Sequence, residues 1–201
     1  NNDHQLIIKV ASIPSARVQI YFIDNEDYFH RKATVRDAEG RLFADNDERI
    51  IFFARGVLET VKKLRWSPDL VHCVGWFSAI VPVYLRNAFA DDPVFKNVKI
   101  VLSVYDDGFE GELDRHFKTK MQGEGVGKKY LSMLDEPTYE NLMKFVIHYA
   151  DGVIFETPTP PEGLRAYLEE IGKPSLEYQD KSSPAYQESY QAFYNKILAN
   201  E

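Results

Sequence analysis

The chain has 201 residues, a formal net charge of −7, 44% hydrophobic and 13% aromatic residues. That length supports one sizeable core rather than two nucleotide-binding domains of roughly 100 to 150 residues each, and the composition excludes a disordered or fibrous chain. The negative charge, with no clustered Lys/Arg stripe, excludes nucleic acid as a partner; no run nears the roughly 18 apolar residues of a membrane span; and the only cysteine, Cys73, rules out an intrachain disulfide and points to the cytoplasm.

Leu6 to Val10 and Val18 to Ile23 are β-rich runs around Ser12-Ile13-Pro14-Ser15, which predicts two strands joined by a turn. From Asp47 the period changes: Ile50, Phe53, Ala54, Val57, Leu58, Val61 and Leu64 recur at three- and four-residue spacing and predict one apolar helical face. Asp45, Asn46 and Asp47 are expected to cap that helix, because carboxylates there meet its free N–H groups and its positive end. Asp69 to Val74 predicts a buried strand, a turn follows at Gly75, and Trp76 to Phe89 reads as a helix bent at Pro82.

Val98 to Val104 is the clearest buried strand, and Tyr105-Asp106-Asp107-Gly108-Phe109-Glu110-Gly111 follows at its end. Glu112 to Asp135 is polar and Gly-spotted, and is expected to be a lid or surface excursion with two short helices. Thr138 to Ala150 and Pro161 to Ile171 predict helices, Gly152 to Phe155 and Ser175 to Tyr178 strands, and 184–198 a terminal helix packing on the rest. Strands alternating with helices imply an α/β fold: one domain over 1–201, with a mostly parallel Rossmann-like sheet and helices on both faces.

No G-x-G-x-x-G, Walker loop, Cys/His metal spacing or G-x-S-x-G is present, so no catalytic residue, cofactor or metal is assigned, and His4, His30, His116 and His148 are too scattered for a metal site. Two loops stand where parallel sheets place ligands: His72-Cys73-Val74-Gly75-Trp76-Phe77 and Tyr105 to Gly111. Within them His72 reads either as a sugar ligand or as a satisfied core histidine. Trp76 reads as a stacking platform or, more readily, as packing. Asp106, Asp107 and Glu110 read as ligand groups or as an ordinary Asp-Asp-Gly turn.

Four blocks carry a resemblance: Tyr21 to Phe29 (YFIDNEDYF), Asp45 to Arg49 (DNDER), Trp66 to Asp69 (WSPD) and Val81 to Leu85 (VPVYL). In this order they resemble bacterial glycogen synthases and plant-type starch synthases, and Tyr149 to Val153 extends the likeness. The resemblance implies the N-terminal, acceptor-side half of a GT-B glycosyltransferase, which moves glucose from a nucleotide-glucose to an α-1,4-glucan. It implies a glucan cleft at His72, Trp76, Phe77, Tyr105 and Asp106, and an acceptor side at Asp24, Asn25 and Tyr28; the aromatic Tyr21, Tyr28 and Phe29 there read equally as glucan-facing surface or as core residues at the strand end.

The sequence departs from the family at both loops. Where the family reads H-x-H-D-W-H, this chain has His72, Cys73, Val74, Gly75, Trp76 and Phe77; where it reads T-I-H-N, this chain has Ser103, Val104, Tyr105 and Asp106. Phe and Val cannot hydrogen-bond to sugar hydroxyls as His and Asn do. The stretch after Lys173 is too short for a donor-binding domain, so glucose transfer by this chain alone is expected to be negligible. The expected partners are an α-glucan or small sugar and another glycosyltransferase chain; the competing expectation is a non-catalytic module that binds glucan or regulates a synthase.

Overall fold

The computed structural model describes residues 4–199. Strands β1 (Ile7–Ile13) and β2 (Val18–Asp24) form an antiparallel ribbon, joined by a 3₁₀ turn at Pro14–Ala16 with Arg17 left-handed behind it. Its inner face meets helix α2 (Asn46–Lys63), where Gly56 leaves room for Ile23 and Leu6: a Cβ at 56 would lie 2.9 Å from Ile23 Cγ2. Between ribbon and α2 lies the single-turn helix α1 (Glu26–Phe29).

The apolar period of α2 resolves into a buried row, Ile50, Ala54 and Leu58, one turn apart. Asp47 and Glu48 in its first turn and Lys62 and Lys63 in its last complement the helix dipole. The expected side-chain cap is not made: Arg31 claims both oxygens of Asp45, and Lys120 reaches Asp47 at 2.6 Å. Salt-bridge geometry outcompetes capping where a cation arrives from elsewhere in the fold. Arg65, at φ 52°, ends the helix with its N–H and that of Trp66 turned back to Lys62 and Val61.

A four-stranded parallel sheet follows, β3 (Leu70–Val74), β4 (Lys99–Val104), β5 (Gly152–Phe155) and β6 (Ser175–Leu176), in that spatial order. The helices between them are α3 (Val81–Leu85), α4 (Phe117–Gly123), α5 (Tyr139–Ile147) and α6 (Glu162–Glu170). Strands added successively in one direction through crossovers of one hand put every connection on the same face. Ile100, Leu102, Val104, Val153 and Phe155 accordingly face the main core shared with α2, α3, α5 and α6. Val101 and Ile154, the alternate residues, face the other way and are covered by α7 (Tyr186–Ala199) through Tyr190, Phe193 and Ile197. Gly152 permits this close approach, since a Cβ there would lie 2.6 Å from Ile197 Cδ1.

Two further expectations are corrected. Trp76 to Phe89 is not one bent helix: a 3₁₀ turn at Trp76–Ser78 precedes α3, which starts afresh with Pro82 in its first turn, where a missing N–H costs nothing. Residues 112–135 are not a surface excursion, because Phe117, Met121, Leu131 and Leu134 are all at most 1% exposed and anchor α4 and the 3₁₀ segment Lys128–Leu134 in the core. Among the described residues no helix is long and apolar enough to cross a membrane.

Candidate functional site

The carboxyl ends of β4 and β5 open into a crevice of about 550 Å³. Tyr105 and Asp106 from the loop after β4, Thr157 and Thr159 from the loop after β5, and Arg36 and Glu110 at the rim supply its polar groups. Tyr139 helps form the wall and donates from its hydroxyl to the Tyr105 carbonyl at 3.4 Å. Arg36 donates to the Gly108 carbonyl at 3.3 Å. Thr157 is buried, and its Oγ1 accepts from the Thr159 N–H, which turns the chain sharply after β5.

The two predicted loops meet beside this crevice. Gly75 donates its N–H to the Ser103 carbonyl, and Asp107 Oδ2 accepts the Trp76 N–H at 3.1 Å. Trp76, 2% exposed, packs edge-on to Phe77 and Phe109, and Phe109 packs in turn on Tyr139. Trp76 is therefore core to the loop junction rather than an open stacking platform. Desolvation, with the neighbouring charge of Asp106, holds the Asp107 carboxyl above its ordinary range against the pull of the Trp76 N–H.

His72 stands elsewhere. Alternation along β3 turns its ring toward α7, where Nδ1 meets the Tyr194 hydroxyl at 2.9 Å and Nε2 meets Ser103 Oγ at 2.6 Å. Glu156, at the end of β5, accepts from the Tyr190 hydroxyl and pairs with Lys181 at 3.2 Å, so polar contacts as well as apolar ones seat α7. Burial holds the His72 ring below its ordinary 6.5, opposed by Glu156. A histidine whose folded value is depressed leaves the unfolded chain binding more protons, so its share of stability is complete above pH 6.5 and is lost as pH falls through the folded value. Between neutrality and about pH 5, the thermal midpoint of the native protein is expected to fall further than that of His72→Gln, as melting at each pH will show.

Asp24, Asn25 and Tyr28 lie at the ribbon and α1, with structural partners. Asp24 pairs with Lys9 at 2.5 Å and bonds His30; buried Asn25 accepts the Tyr28 N–H and donates to the Gln5 carbonyl. The Tyr28 hydroxyl reaches Glu48 at 3.3 Å, and burial pushes its pKa up to about 12. Of the three, Tyr28 lines a second, larger hollow of about 760 Å³, walled by His4 and Leu6 ahead of β1 and by α2 and α4. Size does not decide between the two: the Arg55 and Lys120 side chains in the larger one are already paired with Glu124 and Glu48, whereas the smaller sits where a parallel sheet presents ligands.

Residues 2–177 match the starch synthase catalytic domain family. The chain belongs to that family. A glycogen synthase from Chlorobaculum parvum is 35% identical over 156 residues, 77% of this chain and 31% of that protein. One from Pelodictyon phaeoclathratiforme is 29% identical over 182 residues, 88% of this chain and 36% of that protein. Among solved structures, the catalytic domain of starch synthase IV from Arabidopsis thaliana bound to ADP and acarbose shares the fold, with a TM-score of 0.63 at 16% identity over 88% of this chain and 37% of that one. The chain thus spans about a third of the length of these synthase relatives, and its sheet corresponds to one half of a GT-B glycosyltransferase.

Sequence reasoning placed Tyr105 and Asp106 in a strand-end cleft, and they line this crevice with Phe109. It did not single out Thr157 or Thr159, although the same strand-end rule applied to β5 reaches them. Arg36 lies in an irregular segment with no periodicity to mark it.

Proposed function

We propose that this synthase-family chain serves α-1,4-glucan metabolism by holding a glucan in the crevice at Tyr105 and Asp106, and that glucose transfer requires an opposing diphosphate-binding surface from another glycosyltransferase chain. The observation that carries this reading is the open, polar crevice at the ends of β4 and β5 in a member of this family. Asp106 and Glu110 offer carboxylate acceptors, Arg36 a guanidinium and the threonines hydroxyls, a mixed donor and acceptor set suited to sugar hydroxyls. Departure of a nucleoside diphosphate needs cationic or helix-terminal stabilisation worth several kcal/mol, and this reading assigns that stabilisation to the opposing surface.

Phe77, at a position where the family pattern has histidine, packs against Trp76, Phe53 and Phe29. This favours a second reading, a non-catalytic module that binds glucan or regulates a synthase from a cytoplasmic location. Calorimetry with maltoheptaose, followed by nucleotide-glucose incorporation with and without a full-length synthase, separates the two. The first reading expects binding, and labelled glucan above the synthase's own level only in the mixture. Binding without added turnover selects the module; absence of binding refutes the first reading, and absence of both glucan binding and capture of a synthase in a pull-down refutes the second as well.

A further inference from the structure

The loop junction holds a group that neither the family match nor the crevice accounts for. Gly75 has φ 71° and ψ 170°, and a Cβ placed on it would lie 2.3 Å from Asp107 Oδ2. The carboxylate of Asp107 therefore occupies the space of a side chain at position 75, where the family pattern carries an aspartate. From there it bonds the Trp76 N–H at 3.1 Å, crossing from the loop after β4 to the loop after β3. Its neighbours Asp106 and Gly108 line the crevice on the other side.

We propose that Asp107 is the positioning residue of the crevice: delivered from the second loop into the space vacated at Gly75, it clasps the two loops and fixes the wall that Tyr105 and Asp106 present. The proposal rests on the reading of the crevice as a glucan site. It requires Gly75 and Asp107 to behave as one unit, because neither the glycine's backbone nor the carboxylate's seat persists unaltered without the other.

The test is a double-mutant cycle combined with calorimetry on the full chain. In chemical denaturation, the fold-change in the unfolding equilibrium caused by Gly75→Ala is expected to be about tenfold smaller in an Asp107→Ala background than in the native one, since the contact has been removed. Equal changes in both backgrounds overturn the clasp. With maltoheptaose, Asp107→Ala is expected to weaken binding about tenfold, the loss of roughly one well-placed hydrogen bond. Asp107→Asn, which keeps an acceptor for the Trp76 N–H, is expected to restore binding. An Asn variant as weak as the Ala variant, or an Ala variant that binds normally, overturns the positioning role. Native protein that binds no maltoheptaose, together with a coupled cycle, overturns the glucan reading and with it the positioning role, leaving a purely structural contact.

Discussion

Replacing Arg49 by alanine is expected to cost about 4 kcal/mol and to lower the thermal midpoint by about 10 °C, the largest effect of any single polar substitution in this chain. Arg49 is 2% exposed, and among the described residues no carboxylate lies within ion-pair distance of it. Its Nε donates to the Tyr28 carbonyl and its Nη1 to Asn46 Oδ1, while the Phe29, Phe43 and Phe77 rings lie 5.6, 5.4 and 5.4 Å from its guanidinium carbon. Burial pulls its pKa down, yet an arginine keeps its charge, so the aromatic faces and the two acceptors must stabilise it. Alanine leaves both acceptors buried without a donor and opens a void between three rings. Arg49→Lys keeps the charge but not the fork, and its denaturation midpoint should fall between the two.

Gly75→Ala is expected to destabilise by about 3 kcal/mol through two additive causes, an L residue forced into a glycine-only region and displacement of the Asp107 carboxylate. The backbone at φ 71° and ψ 170° belongs to that region, and the 2.3 Å approach to Asp107 cannot be relieved without breaking the Trp76 N–H bond. Urea denaturation of the variant measures the sum. A cost no larger than that of Gly40→Ala, where nothing lies within 4 Å and only the positive φ of 80° is at issue, would remove the steric part of the account.

Much of the fold could be read from the residues alone, for reasons that differ by element. Gly152–Phe155 is a strand residue for residue as expected, because a short apolar run between an Asp-Gly turn and a polar loop has one reading in a parallel sheet. The helix from Asn46 was legible because one face is wet and the other dry. Trp76 to Leu85 misled because it is almost wholly buried, and burial on all sides erases the period that would have shown the break before α3. Residues 112–135 misled in the opposite way: polar composition hid the buried Leu113, Phe117, Met121, Val126, Leu131 and Leu134.

The site was legible at its loops and illegible in its orientation. Alternation along β3 separates His72 from Cys73 and Val71, but both faces of that strand are covered. Which face takes the α7 helix is settled only by packing with Tyr194, 122 residues further along the chain. The contact of Asp107 with Gly75 depends equally on two loops that β-sheet pairing brings together, and no local pattern in either announces it.

The measurement that bears most directly on the glucan reading is amide chemical-shift mapping of isotope-labelled protein titrated with maltoheptaose. Saturable shifts confined to Tyr105 through Glu110 and to Thr157 through Thr159 are the predicted result. Shifts centred instead on Phe52 and Arg55 along α2, or none up to millimolar sugar, would contradict it.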